Sequence, residues 1–328
     1  MHRLIIDTDP GIDDAMAIAL ALCHPEIELL ALTTVFGNAS VTTTTRNARY
    51  VLDTFGATEV AVAGGAEAPR VQPAHPYPDF VHGADGLGNV YPTGEVSLDA
   101  RARHARVETR DAADFIVETA RRMPGELVLV AIGPLSNIAE ALEREPALPE
   151  LVRELVIMGG TVEEPGNVSP LAEANFWNDP HAADAVLGAD WPATVVGLDV
   201  THRIMLDDEH LAHLRDAAGA TGELIWQSSR FYIDFYARRA NSARRECAMH
   251  DAAAVAHVVL PESFEHVSGA ARVVPDGIAI GQLALDRKGH DYPEPHWKGR
   301  PSVAACLGVD AERVRALFLD TIVGHHRR

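Results

Sequence analysis

Long apolar runs are missing from this 328-residue chain. None reaches about 18 residues without a charge, so no transmembrane helix is expected. A secretory leader is not read either, because "RLIIDTDP" meets acids before an apolar region develops. Cysteine is scarce: Cys23, Cys247 and Cys306 stand far apart without metal-ligand spacing. Cys23 and Cys306 lie in apolar stretches and read as buried core thiols. Basic residues are outnumbered 28 to 47, and the net charge of −19 disfavours nucleic-acid polymers and anionic membranes as partners. Aromatics are sparse at 6%, whereas alanine-rich runs such as "DAAAVAHVV" are frequent. With no internal repeat, low-complexity segment or clear linker, one domain over residues 1–328 is expected. The composition suits a cytoplasmic protein with a small neutral or cationic ligand.

What is present alternates. "RLIID" reads as a strand, "PG" punctuates it, and "DDAMAIALALCH" reads as a helix. "IELLALTTV" and "VTTTTRNARYVLDTFG" repeat the pair, and "VAVA" follows as a third strand. "ELVLVAI" leads into "GPLSNIAEALERE", then come "ELVIMGG" and, after "PHAADAVLGA", "ATVVGLDV". Such alternation predicts an α/β fold with a mostly parallel central sheet flanked by helices. Ligands gather at the carboxyl ends of such strands. A long Pro/Gly-rich stretch from Gly64 to about Ala105, containing "HGADGLGN", is expected to be an active-site loop or lid. Helical patterns dominate about 207–260, and "AERVRALFLDTIV" closes the chain as another helix.

The densest chemistry is "DTDPGIDD", which places Asp7, Asp9, Asp13 and Asp14 within eight positions. Asp13 or Asp14 could cap the helix, but capping does not account for Asp7 and Asp9 at the end of a buried strand. The "DP" and "PG" steps mark a turn that brings Asp9 near Asp14. Two readings stand: an acidic turn open to water, or a site for a hard cation such as calcium or magnesium. "CAMHDAAAVAHVVL" places His250 and Asp251 before an apolar helix, again as caps or as ligands. "GNVSPLAEANFWNDP" offers Asn167, Glu173 and Asn175, which suit sugar hydroxyls or ordinary turns.

Together these segments resemble the nucleoside hydrolases, the inosine-uridine-preferring N-ribohydrolase family. "IIDTDPGIDDA", "TTVFGN", "AIGPLSN", "VIMGG", "GNVSPLAEANFWNDP", "VGLDVTH" and "MHDAAAV" match family segments in order, from Leu4 to about Ala305. The resemblance implies that Ca²⁺ is held by Asp9, Asp14, Asp251 and the backbone carbonyl of Ile132, with Asp7 as a supporting acid. It implies that Asp13, Asn175 and Asp251 bind the ribose 2′- and 3′-hydroxyls, Asn167 and Glu173 the 5′-hydroxyl, and that Asn38 supports the ribose and the metal site. Asp9 is expected to activate a metal-bound water, His250 to assist the leaving base, and His82 to lie over the base from the lid. A ribonucleoside substrate and a homo-oligomer, either dimer or tetramer, are expected with it.

The chain departs from the family in two places. Ala174 stands in "AEAN" where the family often has Phe. The segment "FYIDFYARRANSARRECAMHD", the natural base-specificity region, matches poorly; Tyr232 and Tyr236 there could stack on a base or belong to the core, and Arg244 and Arg245 are unusual. Other readings of the motifs are a calcium-dependent ribose-binding protein without turnover, and a D-x-D phosphotransferase. The latter lacks a later Lys and acidic pair.

Overall fold

The computed structural model describes residues 1–91, 108–240 and 244–327. Nine strands form one sheet: β1 (His2–Thr8), β2 (Ile27–Thr34), β3 (Ala61–Gly64), β4 (Leu127–Ala131), β5 (Glu154–Met158), β6 (Ala193–Val196), β9 (Phe264–Val273), β10 (Leu283–Asp286) and β11 (Ser302–Val309). Their spatial order is β10-β9-β11-β6-β5-β4-β1-β2-β3. All neighbours pair in parallel except β9, which is antiparallel to both β10 and β11. A small ribbon pairs β7 (Met205–Asp207) with β8 (Glu246–Ala248). The main helices are α1 (Ile12–Cys23), α2 (Val41–Thr54), α3 (Ala112–Arg122), α4 (Ser136–Arg144), α5 (Asp208–Ala217), α6 (Gly219–Ala240), α7 (His250–Val259) and α8 (Ala311–His326).

The expected α/β fold is the observed one, and all six strands read from the N-terminal two thirds are present. The last three, β9 to β11, were not anticipated. β9, "FEHVSGAARV", carries neither a continuous apolar run nor a clean alternation and β10 is only four residues long, whereas β11, "SVAACLGV", is an apolar run that a strand reading could have found. The long helical pattern over 207–240 is two helices, broken where Gly219 takes φ 57°. Of the expected lid, residues 92–105 lie outside the described residues. The part before them is irregular chain with a short helical turn at Asp79–His82.

One core lies on each face of the sheet. Leu4 and Ile6 of β1 point to the side of α1 and α7, and Ile5 points to the side of α3 and α4, as strand alternation requires. Helix α1 is buried nearly all round, which its run of Ala, Ile, Leu and Met permits. It packs against α7, whose "HDAAAVAHVV" is equally rich in alanine. Small side chains let the two helices approach closely, so their first turns converge. Those turns carry Asp13 and Asp14 in α1 and Asp251 in α7.

The sheet order reverses between β1 and β4, because β2 and β3 continue to one side of β1 and β4, β5 and β6 to the other. A crevice opens at the carboxyl ends of strands at such a reversal. Asp9 follows β1 there, and Ile132 follows β4, held by its N–H donating to the Asp7 carbonyl at 2.8 Å.

Far from this crevice, Asp184 ties the helix Pro180–Val186 to β9. Its carboxylate accepts from Arg272 at 2.8 and 2.9 Å, from Arg300 at 2.9 Å and from the Val273 N–H at 2.9 Å. Asp184→Ala leaves two partly buried guanidiniums without their carboxylate and should cost about 2 kcal/mol. Urea denaturation should show a lowered midpoint, with kcat of the folded protein unchanged.

Candidate functional site

The turn after β1 folds Asp14 back on the strand end. Asp14 Oδ1 accepts from Thr8 Oγ1 at 2.5 Å and from the Asp9 N–H at 3.2 Å, and Oδ2 accepts from the Gly11 N–H at 2.8 Å. The Asn38 amide, on the loop after β2, donates to Asp14 Oδ2 at 3.1 Å and to the Asp9 carbonyl at 3.2 Å. Asp9 itself is fixed through Oδ2, which accepts from the Asn38 N–H at 2.7 Å. Two glycines make room for this carboxylate. A Cβ on Gly37 would fall 2.1 Å from Asp9 Oδ2, and one on Gly133 would fall 2.7 Å from Oδ1.

Asp13, Asp14 and Asp251, all buried, each offer a carboxylate oxygen within 4.8 Å of the others. Asp9 Oδ1 and Asp13 Oδ1 are buried without any hydrogen-bond partner. Among the described residues no Lys or Arg forms an ion pair with any of the four. Burial raises the proton affinity of all four. Negative neighbours add to this: Asp14 acts on Asp9 and on Asp13, whose pKa rises to about 8, while Asp13, Asp14 and Asp9 act on Asp251. A cluster of buried acids with orphaned oxygens and no protein cation is incomplete without positive charge. The donors are all hard oxygens, which fits calcium or magnesium.

Asp7 does not join this cluster. Its Oδ1 accepts from Thr33 Oγ1 at 2.6 Å and from the Asn137 amide at 2.8 Å, on the α4 side of the sheet. Burial lifts its pKa to about 7. Asp7 thus ties β1 to β2 and α4 beneath the crevice, and no hydrogen bond links it to the other four acids.

A cavity of about 310 Å³ stands over the cluster. Asp13, Asn38, Ile132 and Asp251 line one end, whereas Asp9 and Asp14 lie below the lining. Asn175 joins the ends of two strands, donating to the Ile132 carbonyl at 2.9 Å and the Met158 carbonyl at 3.1 Å. Glu173 caps the short helix Ala174–Asn178, accepting from the Asn175 N–H at 2.9 Å, the Phe176 N–H at 3.2 Å and the Gly160 N–H at 2.8 Å. Burial raises its pKa to about 7 against those donors. Asn167 lies beside it with a buried, unpartnered Oδ1. The loop that bears Asn167 is held by Asp199, which accepts from the N–H groups of Val162, Glu163 and Glu164 at 2.8, 2.6 and 3.0 Å. Ala174 also lines the cavity, with Trp177, whose ring stacks on His75 at 3.5 Å.

The other wall is aromatic. Tyr232 donates to Asp13 Oδ2 at 3.3 Å, and its ring meets Tyr236 edge-on at 4.9 Å. The Tyr236 hydroxyl lies 2.7 Å from His250 Nε2, and His250 Nδ1 lies 2.7 Å from Thr201 Oγ1. His250 is buried, and burial with the nearby His202 takes its pKa well below the ordinary value, so the imidazole is neutral. His82 closes the wall from the loop side. Its Nδ1 accepts from the Ile12 N–H at 3.3 Å, and burial lowers its pKa to about 3. The turn that seats it, "HGADGLGN", needs its glycines: Gly83, Gly86 and Gly88 have φ of 78°, 75° and 75°. A Cβ on Gly88 would also meet the Ser228 carbonyl of α6 at 2.6 Å, so the loop docks directly on that helix.

Every anticipated site residue therefore lies at this one place. Tyr232 and Tyr236 line the cavity, whereas Arg245 pairs with Asp208 and Asp234, stapling α5 and α6. Phe80, Trp177, Phe235, Arg239 and Thr201 were missed. Phe235 and Arg239 share the helical spacing of Tyr232 and Tyr236, a signal present in the sequence. Phe80, Trp177 and Thr201 carry none.

Since the cluster lacks a counter-charge, Ca²⁺ added to thoroughly chelated protein should raise Tm by several degrees at concentrations well above Kd. Asp14→Asn should abolish the rise. Proton competition should make calorimetric affinity stronger at about pH 8 than at about pH 5.

Comparison with known proteins places this geometry. A sequence profile described as inosine-uridine preferring nucleoside hydrolase matches residues 4–316. The chain is 38% identical to uridine nucleosidase 1 of Arabidopsis thaliana, covering 95% of this chain and 90% of that one. It is 34% identical to the inosine-uridine preferring nucleoside hydrolase of Crithidia fasciculata, covering 98% and 97%. A solved plant nucleoside hydrolase superposes with a TM-score of 0.90 at 35% identity, covering 98% of this chain and 99% of that one. A purine-preferring ribonucleoside hydrolase from Gardnerella vaginalis does so at 0.88 with 31% identity, covering 99% of each.

Proposed function

The chain belongs to the inosine-uridine preferring nucleoside hydrolase family and is a nucleoside N-ribohydrolase, and we propose that it releases base and ribose from ribonucleosides with Ca²⁺ in its carboxylate cluster. The observation that carries this reading is the cavity itself, lined together by buried acids and hydrogen-bonded tyrosines. Asp9, Asp14, Asp251 and the Ile132 carbonyl would hold the ion. When bound, it would orient and acidify a water and offer positions for ribose hydroxyls.

Asp9 is the general base. Its Oδ2 is locked by Asn38 while Oδ1 has no partner, so one oxygen is free to take a proton from water. Asp13, Asn175 and Asp251 take the 2′- and 3′-hydroxyls, and Asn167 with Glu173 takes the 5′-hydroxyl. Breaking the C1′–N bond puts positive charge on the sugar ring, which the surrounding carboxylates stabilise. His250, neutral and bonded at both nitrogens, assists the leaving base through Tyr236, whose hydroxyl reaches the cavity. The base lies among His82, Tyr232 and Phe235. A cytoplasmic setting accords with three buried thiols that form no disulfide, and no described helix is long and apolar enough to cross a membrane.

A nucleoside panel assayed for reducing sugar tests the reading. Release should cease on exhaustive chelation and return with Ca²⁺; unchanged release would remove the ion from the mechanism. Asp9→Asn should keep the fold and lower kcat by roughly 10²-fold or more. A near-normal kcat would reassign the base.

The Tyr236–His250 pair predicts a defect that depends on the leaving group. His250→Ala and Tyr236→Phe should each depress kcat on uridine or inosine, His250→Ala by roughly 10²-fold. Both should spare p-nitrophenyl riboside, whose leaving group needs little help. Equal losses on both substrates would make the pair structural.

A further inference from the structure

Ala174 carries a methyl group where the family often has a ring, and it lines the cavity. The short helix Ala174–Asn178 places Ala174, Trp177 and Asn178 at i, i+3 and i+4, and all three line the cavity. Glu173 caps that same helix, so this face begins beside the residue assigned to the 5′-hydroxyl. Val168 adjoins Asn167, and its N–H donates to the Ala172 carbonyl at 3.2 Å, which brings its loop back beside Glu173. Pro76 and Pro78, from the loop before Asp79, add to the lining.

Five of these six side chains are apolar, the Asn178 amide is neutral, and none is cationic. The wall is braced from behind. The Trp177 ring stacks on His75 at 3.5 Å, and the Gln72 amide donates to the Trp177 and Asn178 carbonyls at 2.9 and 2.8 Å. A Cβ on Gly281 would fall 2.7 Å from Trp177 Cα, so the turn there packs closely too. Little ordering is then needed when a ligand arrives. Val168 is 43% exposed and Ala174 and Trp177 are half-buried, which leaves apolar surface that gains from burial against apolar ligand atoms. Glu173 accepts from the N–H groups of Gly160, Asn175 and Phe176, so a ligand without a 5′-hydroxyl leaves it hydrogen-bonded.

We propose that Ala174, Trp177, Val168, Pro76 and Pro78 form a subsite for an apolar substituent on the 5′ carbon, so that 5′-alkylthio ribonucleosides are also hydrolysed. This rests on the hydrolase reading of the cavity, which sets C5′ beside Asn167 and Glu173. In the step, water oxygen bonds to C1′ as the C1′–N bond breaks, and the water's proton passes to Asp9. The bonding pair leaves with the base, which gains a proton, and Asp9 gives its own back to solvent. The C5′–S bond is untouched, and the products are the free base and a 5-alkylthioribose.

Base release from three matched compounds tests this: uridine, 5′-deoxyuridine and 5′-deoxy-5′-methylthiouridine, with the inosine counterparts run alongside. Neither modified compound has the hydroxyl, so comparing those two reads the subsite alone. On wild type, kcat/KM should rise at least about tenfold from the 5′-deoxy to the 5′-methylthio compound, the size of burying two apolar heavy atoms. Ala174→Phe should abolish the rise by filling the space. Trp177→Ala should reduce it to less than about threefold by removing the wall. A wild type without the rise, or a rise that survives in either variant, would overturn the subsite. A wild type that releases base from neither uridine nor inosine would instead overturn the substrate reading beneath it.

Discussion

Mutual repulsion among buried carboxylates is the constraint on which the rest of this structure depends. Asp13, Asp14 and Asp251 offer oxygens within 4.8 Å of one another while almost wholly buried. Several features counter the cost. Asp13 and Asp14 occupy the first turn of α1 and Asp251 that of α7, where the helix dipoles favour negative charge. Thr8, Gly11 and Asn38 donate to Asp14. The remaining deficit, marked by orphaned oxygens on Asp9 and Asp13, is what a hard cation would relieve. Alanine in α1 and α7 is part of the same solution, since larger residues there would hold the two first turns apart.

The sheet serves the cluster by reversing its strand order between β1 and β4. Asp9 and Ile132 then leave adjacent strands on opposite sides of the crevice, and Asn175 bridges the ends of β4 and β5. Asp7 shows how the interior sustains this. It spends its hydrogen bonds on Thr33 and Asn137, joining β1, β2 and α4, so that the strand end carrying Asp9 is held from below.

Much of this was legible in the sequence because chemistry and punctuation coincide there. Four acids, a Pro-Gly turn and an apolar run in "DTDPGIDDAMAIALAL" identify strand, turn, helix and site at once. "MHDAAAV" marks the second helix start for the same reason. Strands β9 and β10 were not legible, since one is a half-exposed mixed sequence and the other only four residues long, whereas the apolar β11 was legible and was missed. Asp7 was expected as a supporting acid, but its partners Thr33 and Asn137 are distant along the chain and could not be named from the sequence. The state of His250 was also hidden, because Thr201 and Tyr236 are distant along the chain and both are needed to satisfy its ring.

Acids and hydroxyl-bearing aromatics share one cavity, and the proposed chemistry has a use for both. Heterolysis of a C1′–N bond separates charge along one axis, positive on the sugar and negative on the base. Here Asp13, Glu173 and Asp251 line one cavity together with Tyr232 and Tyr236, and on the proposed reading the acids would face the sugar. These groups are set by strand ends, helix first turns and one face of α6, so they need little reorganisation as charge develops. A net charge of −19 spread evenly would not produce this field. Its local sign is set by which acids are buried together.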